Sequence, residues 1–438
     1  MGEGCLASAR VRLDLSAWLE SRRAERFRQH GVVYRSAIAP VSQATDKGLI
    51  AERLAEARAR TMLLIEPLTE EQLNTVYSPI LSPLAWDLGH IGNFEELWLV
   101  QAIGGRAPLN GALGRLYDAI ENPRSVRNEL PLLRGDELRS YIAEVRARSL
   151  EVLERVELDD SDNPLLRDGF AYEMLIAHEH QHNETMLQLL QMIDGYPRPG
   201  YEPGRPAVAE SARAMLAVPG GAHLVGAAAG GCFAYDNERP RYEVELEPFR
   251  IDRTPVSNGE FAEFIADTGA EAPLYWQADG SDGWLDTRFG LRDPIEPSLP
   301  VIHVDYEGAA SFARWAGKRL PSELEWEVAA AGAEPAAGNL DGLLYGCSLP
   351  GINCGSDCGA LQMLGDVWEW TDSAFDAYDG FEAFPYPEYS EEFFAQGYRV
   401  LRGGSWATRR NVIRVSFRNW DCADRRQIFS GFRCAADG

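Results

Sequence analysis

Three of the seven histidines in this 438-residue chain fall within five positions, in Ala177-His178-Glu179-His180-Gln181-His182-Asn183-Glu184. No Gly or Pro interrupts the run from Ala171 to Ile193, and Met174, Leu175, Met186, Leu187 and Leu190 give it the apolar residues of a helix. On a helix His178 and His182 stand at i and i+4, one turn apart on one face. That is the spacing with which a helix offers two imidazole nitrogens to one metal ion. His180 points to another side. A solvated polar face is the competing reading of such a pair, but the surrounding helix is apolar and metal binding is the better account. A third ligand is expected from a different helix, and His90 is the best candidate. It lies in Ser82-Pro83-Leu84-Ala85-Trp86-Asp87-Leu88-Gly89-His90-Ile91-Gly92, where the small residues 89 and 92 let a neighbouring helix come close. His30, His223 and His303 have no comparable partners. Three neutral imidazoles leave coordination positions open, which suits a catalytic iron or zinc rather than a sealed structural zinc.

The elements that position these residues follow from the patterning. Residues 43–200 carry helical periodicity, with helices expected from Leu49 to Ile65, over Ala85–Ile103, over Glu137–Val156 and through the histidine run. Four such helices predict a bundle able to hold a metal in its core. At Asp194-Gly195-Tyr196-Pro197-Arg198-Pro199-Gly200 the composition turns to Gly, Trp, Pro and short segments. Residues 201–438 therefore read as a loop-rich α+β domain, with short helices at Phe261–Asp267, Ala309–Gly317 and Glu323–Ala331 and a strand over Glu243–Ile251. Residues 1–42 form an Arg-rich N-terminal extension.

Composition limits the partners. A net charge of −25 opposes nucleic acid or an anionic membrane surface. No apolar run approaches the ~20 residues of a membrane span, and the start lacks a secretory signal pattern. Seven scattered cysteines make no disulfide framework, and Cys354 with Cys358 lacks the second pair of a zinc site. A cytoplasmic protein is expected.

His90 together with His178-x-x-x-His182-x-Glu184 resembles the DinB-type bundle of the ergothioneine-pathway hercynine sulfoxide synthases. The second half resembles their C-terminal domain, which has the formylglycine-generating-enzyme variant of the C-type lectin fold. The matching segments are Arg319-Leu320-Pro321-Ser322-Glu323-Leu324-Glu325-Trp326-Glu327, Gly365-Asp366-Val367-Trp368-Glu369-Trp370-Thr371, Arg402-Gly403-Gly404-Ser405-Trp406 and Phe417-Arg418-Asn419-Trp420-Asp421 with Arg425-Arg426-Gln427-Ile428-Phe429. The resemblance covers residues 43–438, and both halves in this order are more specific than either alone.

The resemblance implies a mononuclear non-haem Fe(2+) on His90, His178 and His182. It implies a reaction in which O2 drives the joining of a thiol to C2 of the hercynine imidazole, giving a sulfoxide. Arg124 and Arg127, in Asn122-Pro123-Arg124-Ser125-Val126-Arg127, are implied to grip the carboxylates of a donor such as γ-glutamylcysteine or cysteine, and Asp421 and Arg425 to bind the same donor from the other domain. Gln181, Asn419 and Trp420 fall at hercynine-binding positions. In Phe384-Pro385-Tyr386-Pro387-Glu388-Tyr389, Tyr386 is the implied proton donor and Tyr389 a wall of the site, with Tyr378 as the alternative donor. Glu184 is read as structural, since its helical angle points away from His178. The tryptophan- and glycine-bearing segments mark the fold. One departure stands out: Cys422-Ala423-Asp424 replaces a bulkier, Pro-containing step. The alternatives are a selenoneine synthase using a selenosugar, a DinB-type zinc thiol transferase, a formylglycine-generating enzyme and a non-catalytic binding module.

Overall fold

Asp46 accepts the backbone N–H groups of Gly48 at 2.8 Å and Leu49 at 3.2 Å, and this cap opens helix α1, Lys47–Ile65. Its buried stripe of Ile50, Leu54, Ala57, Thr61 and Leu64 follows the helical repeat. The structure is a computed structural model that describes residues 46–158, 162–197, 214–229, 233–281, 283–342 and 355–438. The expected N-terminal extension and Cys354 lie outside the described residues.

A capping box between Thr69 and Gln72 starts the short helix α2, Glu70–Asn74. Helix α3, Leu84–Glu95, follows Pro83 and is buried on every side. The coil then widens into a π-helical stretch, Glu96–Ile103, closed by the Gly104 N–H on Leu99 O at 3.0 Å. The α-helix expected over Ala85–Ile103 thus changes its coil halfway, a change common beside functional sites. Helix α4 is Gly111–Leu116, and a 3-10 turn, Arg124–Glu129, leads into α5, Gly135–Arg155. The histidine run lies on α6, Phe170–Leu190.

Four buried charges tie α1, α3, α5 and α6 together. Arg58 donates to Glu179 at 2.7 Å and Glu95 at 3.0 Å, and Arg146 donates to Glu95 at 2.6 Å and Glu179 at 3.1 Å. Burial by itself raises the Glu179 carboxyl, but Arg58 and Arg146 override it and hold the group below the usual glutamate range. With each charge paired, the quartet carries no net charge; removing one member leaves a buried charge uncompensated. Glu179 adjoins His178 and Glu95 adjoins Phe94, so the quartet also fixes the rotation of the ligand-bearing helices.

The C-terminal half is built on short strands. β1, Met215–Val218, pairs antiparallel with β4, Phe249–Asp252, which also pairs with β12, Ala435–Asp437. β2, Gly221–Val225, and β3, Tyr242–Leu246, make a separate hairpin. The single strand expected over Glu243–Ile251 is therefore two strands of different sheets. Pro248 between them has no N–H for a continuous ladder. β5, Trp276–Ala278, β6, Trp284–Asp286, and β7, Asp293–Pro294, form a small antiparallel sheet. The largest sheet runs β10–β9–β8–β11, that is Asn419–Asp421, Arg399–Arg402, Trp368–Ala374 and Ser430–Gly431. Its β8–β11 pair is parallel and the others antiparallel. Helices α8, Tyr306–Trp315, and α9, Glu323–Ala329, pack against it, and α7, Asn258–Thr268, packs on α8; all three helices are expected from the patterning. Trp326, Trp370 and Trp406 are fully buried and fill the interior that short elements leave open.

All described residues fall in one compact unit. Glu184 of α6 accepts from Trp368 Nε1 at 2.8 Å, Ser405 Oγ at 2.5 Å and Thr408 Oγ1 at 2.6 Å, seating the histidine helix on the C-terminal half. The segments read as fold markers thus also clamp the helix that carries two candidate ligands. Among the described residues no helix is long and apolar enough to cross a membrane.

Candidate metal centre

α3 and α6 bring His90, His178 and His182 together, with one ligand nitrogen from each lying within 4.8 Å of the others. The ring centroids are 5.1 Å apart for His90–His178, 4.9 Å for His90–His182 and 4.6 Å for His178–His182. Among the described residues no other trio of histidine, cysteine or carboxylate side chains converges in this way. Two glycines let α3 pack closely against Tyr117 and α5 rather than against the histidine helix. A Cβ on Gly89 would fall 2.1 Å from the Tyr117 ring, and one on Gly92 would fall 2.8 Å from Ile142 of α5.

Each imidazole is held from behind. His90 Nδ1 lies 2.8 Å from Tyr117 O. A carbonyl only accepts, so Nδ1 carries the proton and Nε2 keeps its lone pair for a metal. Trp86 stacks on His90 at 4.7 Å, and Phe94 stacks on His178 at 3.9 Å. His182 Nδ1 lies 3.4 Å from Asp87 Oδ1. Burial, then the neighbouring His182, brings the His90 pKa down to about 3, and burial also drives His178 well below the usual imidazole value. Neutral imidazole is the form that binds a metal. Buried His178 Nδ1 and His182 Nδ1 have no hydrogen-bond partner in the protein. Three imidazole nitrogen donors fit a borderline divalent ion with coordination positions to spare. His180, as expected, faces away: its Nε2 is 3.3 Å from Glu56 Oε2.

The C-terminal half closes over this cluster with aromatic rings. Tyr386 lies 6.0 Å from Phe94 and 5.2 Å from Trp98, and the same Phe94 ring stacks on His178. Burial, then nearby Tyr235, pushes the phenols of Tyr386 and Tyr389 well above the usual tyrosine range, leaving both neutral proton donors. Gln181 Nε2 donates to Tyr389 OH at 3.4 Å, while its Oε1 accepts from Tyr235 OH at 2.6 Å. Trp420 stands edge-on to Tyr389 at 5.7 Å and stacks on Phe375 at 4.1 Å. Asn419 lies beside Trp420 on β10. Tyr378 is elsewhere. Its hydroxyl is 3.4 Å from Glu323, under the Arg418 guanidinium at 4.1 Å, in a buried charge cluster of the C-terminal half.

A second group gathers guanidinium and carboxylate. Arg425 is buried, donates to Gln188 of α6 at 3.2 Å and lies 3.8 Å from Asp421. Its Nε is buried and has no hydrogen-bond partner in the protein. Burial lowers its pKa, Asp421 opposes this, and Arg124 adds to it across the cleft. Arg124 is exposed and free to turn toward a ligand. Arg127 departs from the expected fork. It donates to Ser82 Oγ at 2.8 Å, Asn122 O at 2.8 Å and Ala119 O at 3.2 Å, with its face 3.5 Å above Trp86. Its donors hold the loop, and its plane presses the tryptophan that stacks on His90. Cys422 is exposed beside Asp421, whose Oδ1 accepts the Cys422 backbone N–H at 2.8 Å.

Tyr235, Asp87, Phe94, Trp98 and Trp86 complete the site and were not legible as site residues in the sequence. Asp87 and Trp86 carry a weak signal, standing one turn before His90. Tyr235 carries none, because it reaches the site from a loop distant in the chain.

The architecture defines a two-part metalloprotein: a histidine-bearing helical bundle docked on a C-type-lectin-like domain. A DinB superfamily profile matches residues 53–186, and a sulfatase-modifying factor enzyme 1-like domain matches residues 202–348 and 343–438. The chain is 41% identical to hercynine oxygenase of Mycolicibacterium thermoresistibile over 89% of this chain and 94% of that one. It is equally 41% identical to hercynine oxygenase of Mycobacterium tuberculosis, over 89% and 98%. The C-terminal part is 32% identical to a formylglycine-generating enzyme of Streptomyces coelicolor, over 55% of this chain and 95% of that one. The chain belongs to the hercynine oxygenase family.

Proposed function

We propose that this protein is an iron(II)- and O2-dependent sulfoxide synthase of ergothioneine biosynthesis, joining the sulfur of a thiol to C2 of the hercynine imidazole. The observation that carries the reading is the meeting of three imidazoles from the bundle with an aromatic and amide surround from the other half. The chain's 41%-identical relatives are named hercynine oxygenases. The reaction balances as thiol S–H plus imidazole C–H plus O2 giving the C–S(=O) linkage and water. O2 takes up four electrons, two from forming the C–S bond and two from oxidising the sulfur. Bound on His90, His178 and His182, iron(II) supplies the one-electron chemistry that lets O2 react with closed-shell substrates.

The chain's own residues bind, orient and move protons. Gln181 and Asn419 offer amide hydrogen bonds to hercynine, and Trp420 and Tyr389 offer ring faces to its quaternary ammonium. Arg124 and Arg425 meet the carboxylates of γ-glutamylcysteine, or of cysteine, and Asp421 meets its amine. Arg127 holds the loop that aims Arg124. Tyr386 donates a proton from its hydroxyl without adding charge beside the metal. The reducing cytoplasm is the compartment in which such a donor stays a thiol.

The test uses protein loaded anaerobically with iron and given hercynine with γ-glutamylcysteine, cysteine or a selenosugar in turn, then air. Mass spectrometry should find the sulfoxide that joins γ-glutamylcysteine to hercynine, and none from His178→Ala or His182→Ala. Product from a selenosugar alone, or undiminished activity with zinc or in either variant, overturns the reading.

A further inference from the structure

The loop that carries Tyr386 and Tyr389 has little secondary structure to hold it. Two 3-10 turns, Pro387–Tyr389 and Glu391–Phe393, are the regular elements there. Its grip comes from a segment far away in the chain. Asp236, 4% exposed, accepts the Phe384 N–H at 3.2 Å through Oδ2 and the Ser390 hydroxyl at 2.5 Å through Oδ1. One carboxylate thus fastens both ends of the tyrosine loop. Asn237 Nδ2 adds a bond to Ser390 Oγ at 3.1 Å. Tyr235 stacks on Tyr389 at 4.1 Å with an interplanar angle of 16°. Its hydroxyl claims Gln181 Oε1, which leaves the Gln181 N–H groups turned toward Tyr389.

The segment is itself immobilised. Glu238 accepts the Tyr235 N–H at 2.8 Å, Arg414 Nε at 2.7 Å and Ser416 Oγ at 2.8 Å, and Arg418 donates to Asn237 O at 2.8 Å. Asp236 has no arginine or lysine among these partners. Its carboxylate is satisfied by uncharged donors only, an arrangement that costs desolvation and holds geometry in return.

We propose that Tyr235-Asp236-Asn237 is a positioning element of the reaction: Asp236 sets where Tyr386 stands relative to the histidine cluster, and Tyr235 fixes the amide of Gln181. This rests on the function proposed above. None of the three is a catalytic residue; they act through Tyr386, Tyr389 and Gln181. A proton donor displaced by an ångström loses much of its advantage. Loosening Asp236 therefore sends O2 and thiol toward the uncoupled product, in which the thiol alone takes both oxygen atoms as a sulfinic acid and hercynine is left unchanged.

The test compares wild type, Tyr386→Phe, Asp236→Ala, Asp236→Asn and Tyr235→Phe in the iron-loaded full chain with hercynine, γ-glutamylcysteine and O2. The readouts are the ratio of sulfoxide to sulfinic acid, iron stoichiometry, and backbone hydrogen exchange over residues 384–390. Asp236→Ala should lower the ratio at least ~5-fold, in the direction of Tyr386→Phe, with iron stoichiometry unchanged and faster exchange at Phe384. Asp236→Asn should fall between wild type and Asp236→Ala, since its amide oxygen can accept from the Phe384 N–H or from Ser390 Oγ and the Asn237 N–H, but not from both sides. Tyr235→Phe should raise the KM for hercynine several-fold with kcat nearly kept. If Tyr386→Phe shifts the ratio and Asp236→Ala does not, the positioning role is wrong and the function stands. If Tyr386→Phe leaves the ratio unchanged, the assigned proton donor is wrong, and wild-type exchange at 384–390 in Asp236→Ala then overturns the positioning role as well. Should Asp236→Ala fail to fold, Ser390→Ala removes one of the two grips and is read by the same criteria.

Discussion

Asp87 stands one helical turn ahead of His90 on α3, yet its carboxylate serves the other helix: Oδ1 lies 3.4 Å from Nδ1 of His182. A single α3 turn therefore supplies one candidate ligand and steadies another. At this distance no hydrogen bond forms, and the carboxylate acts on the ring through its charge. Asp87→Asn should weaken iron retention by about tenfold or less, measured against a competing chelator, with the fold intact by circular dichroism. Unchanged affinity refutes the role.

Glu184 binds the two halves together through Trp368, Ser405 and Thr408. Glu184→Gln turns one acceptor atom into a donor facing hydroxyls. It should destabilise the protein by about 1–3 kcal/mol, visible as a lower denaturant midpoint. The loss should come with slower turnover, because docking positions Tyr386 over the bundle.

Glu56 gives a pH dependence of defined sign. Burial raises its pKa, but the His180 hydrogen bond and Arg409 outweigh this and bring it down to about 2. Burial lowers the His180 pKa as well, so His180 acts by N–H donation and Arg409 supplies the charge. A folded pKa below the unfolded value means stability that is present above the ordinary glutamate pKa and lost as pH falls through about 2. Glu56→Gln should flatten that part of the acid limb of a melting-temperature profile. An unchanged limb counts against it.

Tyr386→Phe keeps the ring against Phe94 and Trp98 and removes only the hydroxyl. Product analysis should show the coupled sulfoxide falling and the sulfinic acid rising, at wild-type iron content. Unaltered product ratios move the proton-donor role to another residue.

The helices were readable because their signals are local. The i, i+4 histidines and the apolar repeats of α1, α5 and α6 each lie within a few turns of one another. The break at Pro248 is also local, a residue with no N–H for the ladder, whereas the spending of the Arg127 donors on Ser82 and two carbonyls was decided by partners the local pattern does not show.

What the sequence by itself determined was which chemistry the chain carries: two imidazoles on one helical face, a third beside small residues, and arginines and tyrosines in two distant stretches. Only the tertiary structure decided which of them meet. Asp236 grips a loop nearly 150 residues further on, and Arg58, Arg146, Glu95 and Glu179 become partners although they lie on four helices. Such pairings are fixed by the satisfaction of buried polar groups in three dimensions, and that requirement leaves no periodic trace along the chain.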